Sequence, residues 1–432
     1  MILDVIVIAF WASPLVYLVM ILLGKVFHRR RYRELLRKPR KRVDLVIFQI
    51  PTIGNVSTVN QIIKWVKNYN LPYRIDFWVI VEPSNKYKEE YTTDKLVIIP
   101  EDFECEVLYK ARALEYARRL RVKMVKERNL TDRYVVIQCD DDSLPSKEFI
   151  LECLEVNADI AIGSICPRPR GFWNTILDYE RCIACTIFCN LFTNIGKPIW
   201  AHGEGMIISS EVDMNVSYSL SDVCKDYDAK LISSEDMFYL HKTSISKSHA
   251  GDLAEDMLHM QKVSIKGFTT YNSEKPIYIV PPLTFGDAVT QRRRWLWGHI
   301  RILRYKLLPR ANGIRIVAAE LSGMLVYTVS TFGIPLPLLG IIYVPQTIIP
   351  LLWATLLIWL LIRFYGVGKL MGWKHGLAAV LTSYITVTLN FVVHLIGLVK
   401  GDPKRFEVIK KVFDYDAGDF NLTQQSKKGS SD

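Results

Sequence analysis

The sequence predicts an α/β domain with a mostly parallel sheet, inserted between an N-terminal membrane anchor and a C-terminal set of membrane helices. Three observations predict it. Half of the 432 residues are hydrophobic and 23% are charged, a balance too apolar for an ordinary soluble enzyme and too charged for a bare membrane bundle. Apolar strand-like runs alternate with helical segments from Val43 to about Gly298, the pattern of a sheet with helices on both faces. Apolar stretches of about bilayer length lie on either side of that region.

Residues 1–24 read as the anchor, with Val5–Leu23 as its apolar part. Basic residues follow this stretch instead of preceding it, which argues for an uncleaved anchor with its N-terminus outside. In the juxtamembrane segment 25–42, His28–Arg42 carries nine lysines and arginines against Glu34. Beside an apolar span such a run marks the cytoplasmic face and anionic lipid headgroups. Base-stacking aromatic motifs are absent, so no nucleic-acid partner is expected. Within the domain 43–298, strands are expected at Val43–Ile50, Ile75–Val81, Leu96–Ile99 and Tyr134–Cys139, and helices at Val59–Tyr69 and Tyr109–Glu127. Ligands in such a sheet sit at the carboxyl ends of the strands. Residues 299–312 suit an interfacial helix, because Ile300–Leu308 alternates apolar residues with Arg301, Arg304 and Lys306. Membrane helices follow over 313–400, with spans at Ile316–Ile334, Thr347–Ile362 and Leu377–Val399, and then a polar tail, 401–432. One early and three late spans would put the tail outside, whereas the basic run Lys400–Lys411 belongs inside. Charge decides, so Leu377–Val399, interrupted by Asn390 and His394, is expected to be re-entrant or interfacial. Eight scattered cysteines form no disulfide pattern. Cys182, Cys185 and Cys189 share one helical face, which reads as packing because no further metal ligand is evident nearby.

Three short segments carry chemistry. Asp140-Asp141-Asp142 follows a buried strand. Adjacent carboxylates repel, and Mg²⁺ or Mn²⁺ is the natural compensating charge for oxygen ligands. On an extended chain Asp140 and Asp142 point one way and Asp141 the other, so the first two are the candidate metal ligands. Lys110 opens a helix, where a cation and the helix N-terminus could meet a diphosphate, although the pattern alone favours a solvated basic face. Gln291-Arg292-Arg293-Arg294-Trp295 precedes the membrane region and suits both phosphate binding and an interface. There is also a near-repeat: Glu235-Asp236-Met237 recurs as Glu255-Asp256-Met257, twenty residues on.

An aspartate triplet after a strand, a Glu-Asp pair opening a helix and then Gln-x-x-Arg-Trp together resemble the membrane-integrated family 2 glycosyltransferases, which include cellulose, chitin and hyaluronan synthases. The set is most like that of the Egghead-type β-1,4-mannosyltransferases, through Lys110–Leu114, Asp140–Ser143, Ala254–Asp256 with Gly267-Phe268, and Gln291–Gly298. The similarity runs from about Leu45 to the end of the third late span.

This resemblance implies a GT-A-type nucleotide-sugar-binding domain on the cytoplasmic side and an inverting reaction. It places Asp140 and Asp142 at a Mg²⁺ or Mn²⁺ ion, and Thr52, Glu82, Lys110, Asp140, Gln291, Arg294 and Trp295 on the donor side. Glu82 stands where the family usually has an aspartate for the nucleotide base. Trp200, His202 and Glu204 fall where the family has its acceptor loop. The general base is expected at Asp256, with Asp236 as the alternative. Asp236 has the more usual preceding serine. Asp256 has the right sequel: about three helical turns, Gly267, a strand at Pro276–Val280, then Gln291. The expected activity moves a sugar, mannose first, from a nucleotide-diphosphate sugar in β linkage to a lipid-linked glycan. The alternative is a processive synthase acting on a polysaccharide acceptor. Intact acidic motifs argue against a non-catalytic sensor or scaffold.

Overall fold

The computed structural model describes residues 12–105, 107–169, 171–218, 254–304, 308–332, 346, 349–403 and 409. The first part of the expected anchor and Asp236 lie outside the described residues. Helix α1 (Ser13–Leu36) leads into an eight-stranded sheet ordered β3-β2-β1-β4-β7-β6-β8-β5, whose strands are β1 (Leu45–Thr52), β2 (Ile75–Val81), β3 (Lys95–Ile98), β4 (Tyr134–Gln138), β5 (Ser143–Pro145), β6 (Ile160–Pro167), β7 (Met206–Ser209) and β8 (Thr270–Ile279). Strands β3, β2, β1 and β4 are parallel, as are β6 and β8, while β7 and β5 pair antiparallel with their neighbours. Around it lie α2 (Val56–Lys67), α3 (Tyr109–Lys126), α4 (Lys147–Val156), α5 (Phe172–Ala184), a π-helical turn (Cys185–Cys189), α6 (Asn190–Asn194), α7 (Ser210–Asn215) and α8 (Glu255–Ile265). The C-terminal part holds α9 (Phe285–Arg304), α10 (Arg310–Phe332), α11 (Ile349–Met371), α12 (Trp373–Leu381) and α13 (Ser383–Val399).

The continuous apolar runs of β1, β4 and β6 are buried along their whole length, as strands covered on both faces must be. Several polar groups inside this core are paired. Arg121 of α3 makes a two-pronged ion pair with Asp213 of α7, at 2.7 and 2.8 Å, and donates to Gln49 of β1. The Tyr134 hydroxyl of β4 donates to the same Asp213 at 2.8 Å. These bonds fix α3 beneath the sheet, and with it the position of Lys110 in its first turn.

Several sequence expectations change. Strand β8 begins at Thr270, not Pro276, because its polar first half pairs with β6 across a register shift between Ile162 and Ser164. The boundary expected at Gly298 falls inside α9, so no separate interfacial helix starts at 299. Arg301 of that helix is buried and paired with Asp402 at 2.6 Å, not turned to lipid headgroups. Part of the basic N-terminal segment is likewise committed to protein. His28 stacks on Tyr271, Arg31 donates to the Thr270 carbonyl, and Lys41 bridges Asp159 and Glu211.

Among the described residues, α10 and α11 are long and apolar enough to cross a membrane. Helices α12 and α13 form a pair bent by 72°, which is the shape of a broken span or a re-entrant loop. The break comes at Thr382, not at Asn390 or His394, where the sequence suggested an interruption. Asn390 is buried and donates to the Leu177 carbonyl of α5.

Removing one partner of the Arg121–Asp213 pair would leave an uncompensated buried charge, at a cost of about 3–5 kcal/mol. Asp213→Ala should therefore lower the thermal midpoint of the detergent-solubilised protein sharply. The double variant Arg121→Met/Asp213→Leu should recover most of the loss, and equal losses in both would show that packing, not charge, is what matters there.

Candidate active site

The site forms at the carboxyl ends of β1, β2 and β4, where parallel strands open a crevice. The triplet lies in a turn after β4, closed by the Ser143 N–H on the Asp140 carbonyl at 3.2 Å, and not on the extended chain expected from the sequence. Asp141 turns back to β1 and accepts from the Thr52 hydroxyl at 2.7 Å and from Asn55 Nδ2 at 2.8 Å. Asp140 faces the other way, and its Oδ1 lies 2.6 Å from Lys110 Nζ. The backbone N–H of Asp140 donates to the Ser143 hydroxyl, which in turn donates to the Glu204 carbonyl at 2.6 Å. This ties the triplet to the loop carrying His202, Gly203 and Glu204.

Lys110 is shared. Its Nζ is also 2.9 Å from Glu255 Oε1, the first residue of α8. Asp256, next to it, accepts the Gly203 N–H on Oδ2 and the Met257 N–H on Oδ1, both at 2.8 Å. Glu255 is buried whereas Asp256 is partly open to solvent. Burial, with Glu255 beside it, raises the Asp256 carboxyl above the usual aspartate range, against the pull of Lys110. Burial likewise pushes Asp140 up to about 7, opposed by Lys110 and reinforced by Glu204 and Asp142. Lys110 and Asp140 remain within reach of water, keeping 19% and 26% of their side-chain surface exposed.

The charge balance tests whether this donor set fits a divalent cation. Asp140, Asp142, Glu204, Glu255 and Asp256 act on Lys110 and Arg294, while Arg181 pairs with Glu204. Five carboxylates against three permanent cations leave net negative charge in a recessed site, and all the donors are oxygens. That suits Mg²⁺ or Mn²⁺.

Other expected residues take clear places. Glu82, directly after β2, pairs with Arg112 of α3 at 2.5 Å. Thr52 is occupied by Asp141 and by the Gly54 and Asn55 N–H groups. Gln291 is buried and accepts from Arg292. Arg294 faces the carboxylates, and burial pulls its guanidinium below the usual range while Glu255, Asp140, Asp142 and Glu204 pull it back. Trp295 is clamped between the guanidinium groups of Arg181 and Arg292, at 4.9 and 4.5 Å from its ring. Trp200 donates to Glu320 of α10 at 2.9 Å, so it ties the loop to the membrane region. His202 points its Nε2 toward Cys185 and Cys189, away from the carboxylates. The packed-face reading of the cysteines missed this contact, because His202 arrives from a separate loop.

Sequence reasoning also missed Arg181 and Asp178 of α5. Arg181 binds Glu204, whose carboxyl it holds far below the usual range with help from His202, against the effect of burial. Asp178 binds Arg292 at 2.7 Å. No local pattern announces either pair, since the partners are 23 and 114 residues apart.

A family model described as glycosyl transferase family group 2 matches residues 135–366, more than half of the chain. The chain belongs to this family. Its mixed, mostly parallel sheet is the GT-A-type domain expected from the sequence. The chain is 20% identical over 334 residues to a protein named Beta-1,4-mannosyltransferase egh from Drosophila melanogaster, over 73% of this chain and 66% of that protein. The chain thus spans just under two thirds of that relative's length. The solved mannosyltransferase PcManGT from Pyrobaculum calidifontis, in complex with GDP-Man and Mn²⁺, aligns at 15% identity with a TM-score of 0.44, covering 92% of this chain and 98% of that one.

Gly203 sits in the middle of the charge cluster of this glycosyltransferase. A Cβ there would stand 2.7 Å from Lys110 Nζ and 3.3 Å from Asp256 Oδ2. The ammonium, at the end of a flexible side chain, is what would yield. Gly203→Ala should leave the thermal midpoint nearly unchanged yet reduce transfer by about 10²-fold, the scale set by small misplacements of reacting groups. Transfer at the wild-type rate would show that Lys110 need not hold this position.

Proposed function

We propose that this chain is an inverting, metal-dependent mannosyltransferase that uses a nucleoside-diphosphate donor and builds a β linkage onto a lipid-linked acceptor. The observation that carries the reading is Lys110, held between Asp140 and Glu255 beside Asp256 and in front of Arg294. The choice of mannose follows the printed name of the fly relative. The choice of a lipid-linked acceptor follows the packing of α10 and α11 against the domain, with Trp200 and His299 both on Glu320.

In this reading Asp140 and Asp142 hold Mg²⁺ or Mn²⁺, which would neutralise charge on the departing diphosphate. Lys110 and Arg294 place two further cations beside the same oxygens. Glu82 and Arg112 border the nucleotide end of the crevice. Trp295, fixed by Arg181 and Arg292, forms a wall between donor and acceptor. Asp256 takes the proton of the acceptor hydroxyl as oxygen attacks the anomeric carbon from the side opposite the diphosphate. Its raised proton affinity favours that role, and the Gly203 N–H holds the carboxylate in place. Displacement from the opposite side inverts the anomeric configuration.

Purified protein in lipid, supplied with glycolipid acceptors and a panel of nucleotide sugars, should release nucleoside diphosphate and add one hexose per acceptor by mass spectrometry. EDTA should abolish transfer, and Mg²⁺ or Mn²⁺ should restore it. Asp256→Asn should lose about 10²–10⁴-fold in rate while still binding donor. A ladder of lengthening polymer would replace this reading with that of a processive synthase.

We place the catalytic domain and the C-terminal tail on the cytoplasmic side, with the bent α12–α13 pair re-entering that side. The basic residues of 28–42 and 400–411 then share one face. An epitope appended after Asp432 should be reached by antibody only in permeabilised cells; staining of intact cells would put the tail outside.

A further inference from the structure

Behind the carboxylate cluster lies a second group of ligating atoms that the transferase chemistry does not use. Cys185 and Cys189 lie at the two ends of the π-helical turn after α5, and both are buried. His202 comes from the following loop. The two sulfurs and the imidazole nitrogen all lie within 4.8 Å of one another. Cys185 Sγ is 3.2 Å and Cys189 Sγ 3.3 Å from the same atom, His202 Nε2.

Hydrogen bonds link the members of this triangle, since Cys189 also bonds Cys185. One ring nitrogen has either one proton or one lone pair, so it can serve one of two equidistant sulfurs properly. A cation at the centre serves all three. We infer that Cys185, Cys189 and His202 form a binding site for a soft divalent cation, Zn²⁺, separate from the donor-side carboxylates.

Three further considerations support the assignment. Zn–S and Zn–N bonds of about 2.3 and 2.0 Å put a tetrahedral sulfur–nitrogen pair roughly 3.5 Å apart, so the two sulfur–nitrogen distances of 3.2 and 3.3 Å need to open by only a few tenths of an ångström. Two thiolates and a neutral imidazole cancel the charge of Zn²⁺, which is what a buried site requires. The π-helical turn is itself an uncommon element that tends to occur at functional positions, and here it carries both cysteines. Cys182, one turn earlier, is not part of the set, since its sulfur is directed to Met371 at 4.0 Å. The fourth position is left to water, which can enter along the partly exposed His202.

The cation would act as a positioning element. His202 is followed at once by Gly203, which donates to Asp256, and by Glu204, which binds Arg181. Fastening His202 to the helix fixes the segment that lines the charge cluster. The assignment stands on ligand geometry alone and does not depend on which sugar the enzyme moves.

The test is elemental analysis of the full-length protein, purified in detergent through a histidine-free tag from zinc-supplemented cells. About one zinc per chain should survive desalting that removes Mg²⁺ and Mn²⁺. Cys185→Ser/Cys189→Ser should bring zinc to background, and Cys182→Ser should keep it. Chelator-stripped wild type titrated with Co²⁺ should develop the intense near-ultraviolet thiolate-to-cobalt band of a tetrahedral site, a readout that requires no variant to fold. Wild type that holds no zinc and gives no cobalt band would overturn the assignment, as would zinc retained at full stoichiometry by the double cysteine variant.

Discussion

The ammonium of Lys110 is the constraint around which the rest of the site is arranged. It holds Asp140, which ends a parallel strand, against Glu255, which opens a helix more than a hundred residues later. Without a cation between them, these carboxylates and their neighbours Asp142, Glu204 and Asp256 would repel one another in a recessed site where the effective dielectric constant is well below that of water. Its place depends on α3, and α3 is secured from below by Arg121 on Asp213 and Gln49. A buried structural ion pair in one turn of the helix therefore fixes a functional cation three turns away. Gly203 completes the constraint by leaving the space that the ammonium needs.

Helix α5 connects this chemistry to the membrane region. Within four residues it sends Asp178 to Arg292 of α9, Glu180 to Arg363 of α11 and Arg181 to Glu204 of the loop. Each pair is largely buried, so breaking one would strand a charge. Such pairs add little net stability compared with apolar packing, but they specify one arrangement among several apolar alternatives. The same helix runs into the turn that carries Cys185 and Cys189. The loop, the Gln-x-x-Arg-Trp helix and a membrane helix are thus all referenced to one rigid element, and a shift in any of them must be felt by the others.

The parts of this molecule that were legible in the sequence are those whose signal is local. Strands β1 and β4 are continuous apolar runs, and covered parallel strands have to be. The aspartate triplet, expected on an extended chain, instead forms a turn, closed by the Ser143 N–H on the Asp140 carbonyl, from which Asp141 bonds Thr52 and Asn55. The first half of β8 was not legible, because Asn272, Ser273 and Glu274 look like a loop. Their partners, Asn194 for the Asn272 N–H and Lys369 for Glu274, come from distant segments. Gly298 suggested a boundary, yet α9 runs through it, since packing against α13 outweighs a penalty of about 1 kcal/mol for one helical glycine. The charged pairs of α5 were invisible for the same reason: a sequence window holds one member of each and never both.

The distribution of the remaining charges explains how one loop can serve two requirements. A base needs a raised proton affinity, and a positioned carboxylate needs the opposite. In the proposed reading Asp256, which accepts the Gly203 N–H, and Glu204, the next residue of the loop, meet these needs by different neighbours. Burial and the buried Glu255 carboxylate beside it raise the proton affinity of Asp256, against the pull of Lys110. Glu204 has Arg181 to itself and His202 nearby, so its proton affinity falls. Two carboxylates a few residues of space apart are thereby driven to opposite protonation tendencies, the general device by which one site separates a proton acceptor from a fixed negative charge. Arg181 is held on Glu204 while the Trp295 ring lies 4.9 Å from its guanidinium, so the residue that lowers the Glu204 proton affinity has two partners.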